Sequence, residues 1–225
     1  MEWFTPFLQG GFSAASVRGW APFGGQECPS CGAFTRHISC SGIPVRCPAC
    51  EVPPPFDFAR SLFVYEGRVR EGIRAAKYGR GAVPADALAE RLLEAVRNRW
   101  SDRFTEGFRP AIVPVPIHPA KYFRRGFNLP ALVGTALSRA TGWPFSPRIL
   151  HRVAGNIPQA GLPLAAREEN VLGAFTVPSG IQAPPCVLLL DDVYTSGATA
   201  RACALALKTA GAEHIVVLTV ARTVP

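Results

Sequence analysis

Two groups of residues in this chain have the types and spacing to do chemistry. Cys28-Pro-Ser-Cys31 and Cys47-Pro-Ala-Cys50 are two C-x2-C knuckles with the fifteen residues 32–46 between them. Knuckles at that spacing suit a ribbon that wraps one tetrahedral Zn²⁺ in four thiolates at about 2.3 Å. With all four positions taken by protein the site is structural, and Gly32 lets the chain turn beneath the ion. A disulfide pair or free thiols are the alternatives, which a reducing compartment disfavours. His37 and Cys40 fall inside the intervening stretch and read as bystanders that could replace a knuckle ligand, while Cys186 and Cys203 sit in apolar settings and read as small buried hydrophobes.

The second group is Val187-Leu188-Leu189-Leu190-Asp191-Asp192, followed by Val-Tyr and then Thr195-Ser196-Gly197-Ala198-Thr199. An apolar strand runs into two adjacent carboxylates, then into a small hydroxyl-rich loop, then into an apolar-periodic helix. In an open parallel sheet ligands sit at the carboxyl ends of the strands. A loop of this kind aims backbone N–H groups and hydroxyls at a phosphate, helped by the positive end of the helix dipole. No Gly-Lys-Ser/Thr and no G-x-G-x-x-G is present. The acids instead suit a sugar phosphate, accepting hydrogen bonds from vicinal ribose hydroxyls while the loop holds the 5′-phosphate. The plainer alternative is that Thr195 and Ser196 only cap the helix and the acids are solvated.

The elements that must position these groups follow from punctuation and period. Residues 1–27 are aromatic and Gly-rich, 28–50 are crowded with Cys, and Val52-Pro53-Pro54-Pro55 makes a stiff extended linker. Two units are therefore expected, an N-terminal segment with the ribbon over 1–58 and an α/β domain over 59–225. In the second, the pattern predicts a strand at 60–65, a helix near 69–78 and another at 85–100 after Pro84. A strand at 111–115, a basic loop and a helix at 129–140 follow. A Pro/Gly/Arg stretch then runs to about 170, before strands near 174–177, 187–190 and 215–220, the last two separated by a helix at 198–210. Short apolar strands alternating with helices predict an α/β fold with a largely parallel sheet.

Composition bounds the rest. Of 225 residues 48% are hydrophobic and 18% charged, which excludes a mainly disordered or coiled-coil chain. The longest apolar runs fall far short of the roughly 18 residues that span a bilayer, so no membrane insertion is expected. Glu2 and the lack of a basic stretch before an apolar one argue against a secretory leader, and the expected location is cytoplasmic. The net charge of +8 is concentrated in residues 60–125, which hold 14 basic and 7 acidic residues. Of the 24 basic residues 21 are Arg, whose planar fork matches phosphate oxygens; a compositional bias toward Arg is the other explanation. Within that stretch Arg70, Arg74, Lys77, Arg80, Lys121, Arg124 and Arg125 interleave with Tyr65, Tyr78, Tyr122, Phe123 and Phe127, most of which are expected in the core or at hinges.

The strand, acid pair and T-S-G-A-T loop resemble the phosphoribosyl pyrophosphate (PRPP) signature of type I phosphoribosyltransferases. The chain from 28 to 222 is similar to the ComF family (competence protein F, ComFC-like). The matching pieces are the four-Cys ribbon, Lys77-Tyr78, Val113-Pro-Val-Pro116, Arg124-Arg125-Gly126-Phe127-Asn128, Pro158-Gln159-Ala-Gly-Leu162, and Arg167-x-x-Asn170 followed by Gly173-Ala-Phe175; Asn156 departs from the Thr expected there. The resemblance implies a phosphoribosyltransferase-like parallel sheet flanked by helices. It also implies ribose contacts from Asp191 and Asp192, a 5′-phosphate loop of Thr195, Ser196, Gly197, Ala198 and Thr199, and a pyrophosphate turn at Pro116 to His118 aided by Arg124 and Arg125. Mg²⁺ would arrive on the pyrophosphate oxygens, and 152–170 would form a lid. The implied reaction is loss of pyrophosphate from C1′ through a cationic sugar, with transfer to an acceptor. Residues 1–58 replace the hood that selects the acceptor in that superfamily, so turnover stays open. The implied setting is DNA uptake in natural transformation, with single-stranded DNA and a competence helicase as partners. A single-stranded DNA-binding factor with little or no transferase turnover is the alternative.

Overall fold

The computed structural model describes residues 13–23, 27–34, 46–78, 84–104, 107–153 and 173–224. Six strands and six α-helices follow in chain order within them: α1 (Ala14–Arg18), β1 (Phe58–Val64), α2 (Gly67–Tyr78), α3 (Ala85–Asn98), β2 (Ala111–Pro114), α4 (Pro119–Arg125), α5 (Leu129–Thr141), β3 (His151–Arg152), β4 (Phe175–Thr176), β5 (Cys186–Tyr194), α6 (Ala198–Thr209) and β6 (His214–Arg222). The main sheet has the order β1-β6-β5-β2, and every pairing in it is parallel. All four strands therefore present their carboxyl ends at one edge.

The two central strands are near-continuous Val, Leu and Ile because helices or the cysteine segment cover both faces. Alternation sorts them. Leu188, Leu190, Val216 and Leu218 pack with Leu88 and Leu92 of α3 and Val133 and Leu137 of α5. Val187, Leu189, Ile215 and Val217 face the other way, toward Cys203 and Leu207 of α6 and toward Cys28, Cys31 and Cys50. The buried cysteines thus share a core with the sheet.

Three expectations are corrected. The strand expected at 187–190 continues through both acids to Tyr194, because β6 also runs on and pairs with it: Asp191 lies opposite Thr219 and Tyr194 opposite Arg222. The basic loop after β2 contains the helix α4, nucleated by Pro119 at its first turn, capped by His118 Nδ1 accepting from the Ala120 N–H at 3.2 Å, and ended at Gly126. The strand near 174–177 is only the two-residue β4, antiparallel to β3 and outside the main sheet. Among the described residues no helix is long and apolar enough to cross a membrane.

Candidate functional site

The carboxyl edge of β5 and β2 gathers the chemistry. β2 pairs with β5 as far as Pro114 and Leu190, and the Val115 N–H donates to Leu190 O at 2.8 Å, so the Pro116 to His118 turn leaves the sheet beside Asp191. Asn128, the residue before α5, ties this turn down by donating from Nδ2 to Val115 O at 2.9 Å.

Consecutive strand residues point to opposite faces, and the two acids follow that rule. Asp192 turns toward α2, whose last turn delivers Lys77 Nζ to 2.7 Å from Oδ2; the two side chains are 18% and 15% exposed. Asp191 turns toward α6, where it is close enough to Cys203 for its charge to bear on that thiol, and its Oδ1 accepts from the Asp192 N–H at 2.7 Å. Burial, reinforced by the neighbouring Asp192 charge, pushes the Asp191 carboxyl up to about 7, against the opposing pull of that N–H, Lys77 and Arg152. The pair is a split one, each carboxylate with its own surroundings.

A cationic group faces them. Arg124 and Arg125 on α4 stack over the Tyr78 ring, their guanidinium carbons 5.8 and 5.2 Å from its centroid. Lys121, one turn earlier, has its pKa lowered first by burial and then by Arg152, Arg125 and Lys77 around it. Lys77 and Arg152 act on the two carboxylates, and Lys121, Arg125 and Arg124 continue the cationic group from them, a surplus of positive charge suited to a polyanion. Of the aromatics expected mostly in the core or at hinges, Tyr65 and Phe127 pack on the core, while Tyr78, Tyr122 and Phe123 are exposed beside the cations, Phe123 by 88%. α4 buries none of its residues.

The 195–199 loop leaves β5 with Thr195 and Ser196 exposed and Gly197 buried. Gly197 is the N-cap of α6 with φ +83°, and Ser196 Oγ accepts from the Ala198 N–H at 3.3 Å. With glycine as the N-cap the helix has no side-chain cap, and Ser196 is the one loop hydroxyl seen on a backbone N–H of its first turn.

The four knuckle cysteines converge, with all their Sγ atoms within 4.8 Å of one another and Cys31 and Cys47 Sγ 3.5 Å apart. None of the described cysteines is in a disulfide. Burial opposes the Cys28 thiolate, but backbone N–H groups of Cys31, Cys47 and Ser30 outweigh it and bring that thiol down to about 7. Burial and the neighbouring sulfurs push Cys47 up to about 11 and Cys50 higher. Four sulfurs within 4.8 Å of one another, with no disulfide among them, are a donor set that fits one tetrahedral metal ion. The knuckles are docked as well as folded: a Cβ on Gly32 would meet Ala59 O at 2.7 Å, and the Ala59 N–H donates to Ser30 O at 2.7 Å. Buried Arg60 pairs with Glu27 at 3.1 Å.

The sequence put Lys77 in the basic stretch and Arg152 at the start of the expected lid, but assigned neither to the acid pair. Lys77 stood next to Tyr78 in a matching piece, and its place one turn before a helix end was the available signal. His37, Cys40, Arg80, Asn156, the Pro158 to Leu162 and Arg167 to Asn170 pieces, and most of the expected lid lie outside the described residues.

No family model matches the chain. It is 30% identical over 199 residues to the DNA utilization protein YhgH of Salmonella typhimurium, an alignment covering 87% of this chain and 84% of that one. It is 35% identical over 114 residues to competence protein F of Haemophilus influenzae, half of each chain. With competence protein ComFC of Streptococcus pneumoniae it shares 23% over 195 residues, 85% of this chain and 79% of that one. Similarity along nearly the whole of both chains, joined to a parallel α/β sheet carrying a four-cysteine cluster, makes this chain a member of the ComF family.

Proposed function

We propose that the chain binds PRPP with Mg²⁺ at the carboxyl edge of its sheet and works in DNA uptake or utilization. The names of its relatives support the second part. The observation that carries the first is the split acid pair at the end of β5, set between a hydroxyl-rich loop and a cationic surplus. In this reading Asp191 and Asp192 accept from the ribose hydroxyls. Thr195, Ser196, Gly197, Ala198 and Thr199 hold the 5′-phosphate, and Pro116, Arg124 and Arg125 face the pyrophosphate. Mg²⁺ enters on pyrophosphate oxygens and waters. Lys77 orients Asp192 and offsets its charge, so that a polyanion is not repelled. Calorimetry with PRPP and Mg²⁺ tests the site, and pyrophosphate release across a panel of acceptors tests whether transfer follows. Absence of heat with PRPP would remove the assignment.

In the same reading the metal is Zn²⁺, held by Cys28, Cys31, Cys47 and Cys50 in a structural ribbon spanning 28–50 of an N-terminal unit 1–58. Protein purified without chelator is expected to carry one zinc per chain. Cys47→Ser is expected to lose most of it, and unchanged zinc in that variant would remove the assignment.

The exposed aromatics favour a second activity, binding of single-stranded DNA, which a competence helicase would supply or receive. Tyr78, Tyr122 and Phe123 beside Lys121, Arg124 and Arg125 combine stacking surfaces with phosphate contacts. Oligonucleotide affinity is expected to fall steeply with salt, and replacing Arg124 and Arg125 by Ala should flatten the log–log slope by about 1 to 2. Salt-independent binding would count against it. Competition by PRPP would mean that the two ligands share the α4 cations.

A further inference from the structure

The two knuckles are each tied by one arginine to one side of the 195–199 loop. Arg222, near the end of β6, donates from Nη1 to Cys31 O at 2.7 Å, and its guanidinium carbon lies 5.0 Å from the centroid of Tyr194, the residue before the loop. Tyr194 is buried, and its hydroxyl lies directly against Gly197 within the loop. On the other side Arg201 sits in the first turn of α6, its N–H donating to Gly197 O at 2.9 Å. Its Nη2 donates to Ala49 O at 2.6 Å and lies 4.0 Å from Cys50 Sγ. Cys28, Cys31, Cys50, Tyr194 and Ala200 belong to one packed core.

We infer that Arg201 is a positioning residue through which metal occupancy of the four-cysteine site sets the shape of the 195–199 loop, so that metal and phosphate binding are thermodynamically linked. The first knuckle is already docked on β1 through Ser30 O and Gly32, so a metal that fixes the separation of the two knuckles fixes the position of Ala49 O in the second. That carbonyl anchors Arg201, just after the loop, while Cys31 O anchors Arg222 of β6, which stacks on Tyr194 just before it. When the metal leaves, the second knuckle is no longer held to the first, and the loop keeps its helix and its Tyr194 contact but loses the Arg201 clamp. Linkage is reciprocal, so phosphate in the loop must also tighten the metal.

The inference rests on the loop's binding phosphate, and the test separates the two ideas by using one readout that needs no ligand. Hydrogen exchange is measured on the full chain, metal-replete and chelated, and on metal-replete Arg201→Ala and Arg201→Lys. Exchange of the 195–200 amides is expected to quicken about 5-fold or more on chelation, within the usual range of coupling between sites, while the β2 amides change little. Metal-replete Arg201→Ala should match the chelated parent at the loop while keeping its full metal content, and Arg201→Lys should restore part of the protection. PRPP affinity by calorimetry should fall in parallel, by about 5- to 150-fold. Loop exchange that is the same in metal-replete parent and metal-replete Arg201→Ala would overturn the coupling. Loop exchange that responds, with no PRPP binding to the replete parent, would uphold the coupling and overturn the ligand. Should chelation unfold the whole chain, the reciprocal arm decides: PRPP with Mg²⁺ must slow metal loss to a chelator in the parent, and equal slowing in Arg201→Ala would overturn the coupling.

Discussion

Asp191→Asn is expected to stabilise the protein at pH 8 while weakening its hold on ribose. The Asp191 carboxyl has its pKa raised from 3.8 to about 7 on folding, so between those values the folded chain holds a proton that the unfolded chain has lost. Stability therefore falls as pH rises through this window, and above it the cost of a desolvated anion beside Asp192 is fully present. Asn carries no such cost. The variant should be indistinguishable from the parent near pH 4 and more stable at pH 8, by an amount on the order of 2 kcal/mol. Asp192→Asn should behave oppositely, because it leaves Lys77 half-sequestered without its 2.7 Å partner. Both substitutions replace a charged acceptor by a neutral one, and together they should cost roughly 10²- to 10⁴-fold in PRPP affinity. Thermal melts of the two single variants at pH 4 and 8, with calorimetry on the double, check all three statements. A lower melting temperature for Asp191→Asn at pH 8 would show that the carboxylate is held by favourable contacts instead.

Much of this site was legible in the sequence, because adjacency along the chain is adjacency in space at a strand end. The run from Val187 to Thr199 holds strand, acids, loop and helix start in one stretch, and the structure keeps that order. The knuckles were equally legible, since a C-x2-C pair carries its own geometry. What adjacency could not convey was the divergence of the two acids. Alternation in a strand predicts it, but only once the strand is known to reach Tyr194, and that depends on β6 pairing far along the chain. Lys77 was hidden for the same reason, as its partner lies more than a hundred residues away on a neighbouring element. Arg201 read as a helix residue of no special kind and Arg222 fell beyond the strand expected at 215–220, and their hydrogen bonds to Ala49 O and Cys31 O exist only because the knuckles dock on the sheet. The helix α4 was missed because its signals, Pro119 and Gly126, bracket a single stretch of seven residues too short to show a period.

Gly197→Ala should then be among the most damaging single-methyl additions available to this chain. The residue has φ +83°, where a side chain costs about 1 to 2 kcal/mol, and the added Cβ would overlap the Tyr194 hydroxyl and its ring carbon. Tyr194 cannot swing aside freely, because it is buried against Arg222 and within the core that holds Cys31 and Cys50. Overpacking at such a position costs a further 1 to 3 kcal/mol or so. A loss of about 2 to 5 kcal/mol is therefore expected, which for a chain of this size lowers the melting temperature by roughly 5 to 20 °C. Two independent readouts follow from where the methyl goes. If the loop yields, the melt is near the small end of that range and PRPP affinity collapses; if Tyr194 yields, Arg222 loses its stacking partner and zinc is bound more weakly. Tyr194→Phe removes the hydroxyl that the methyl meets, so the double variant should recover part of the stability lost by Gly197→Ala. A melting temperature for Gly197→Ala equal to the parent's, with zinc content and PRPP affinity unchanged, would mean that the loop is not wedged between the sheet and the cysteine site.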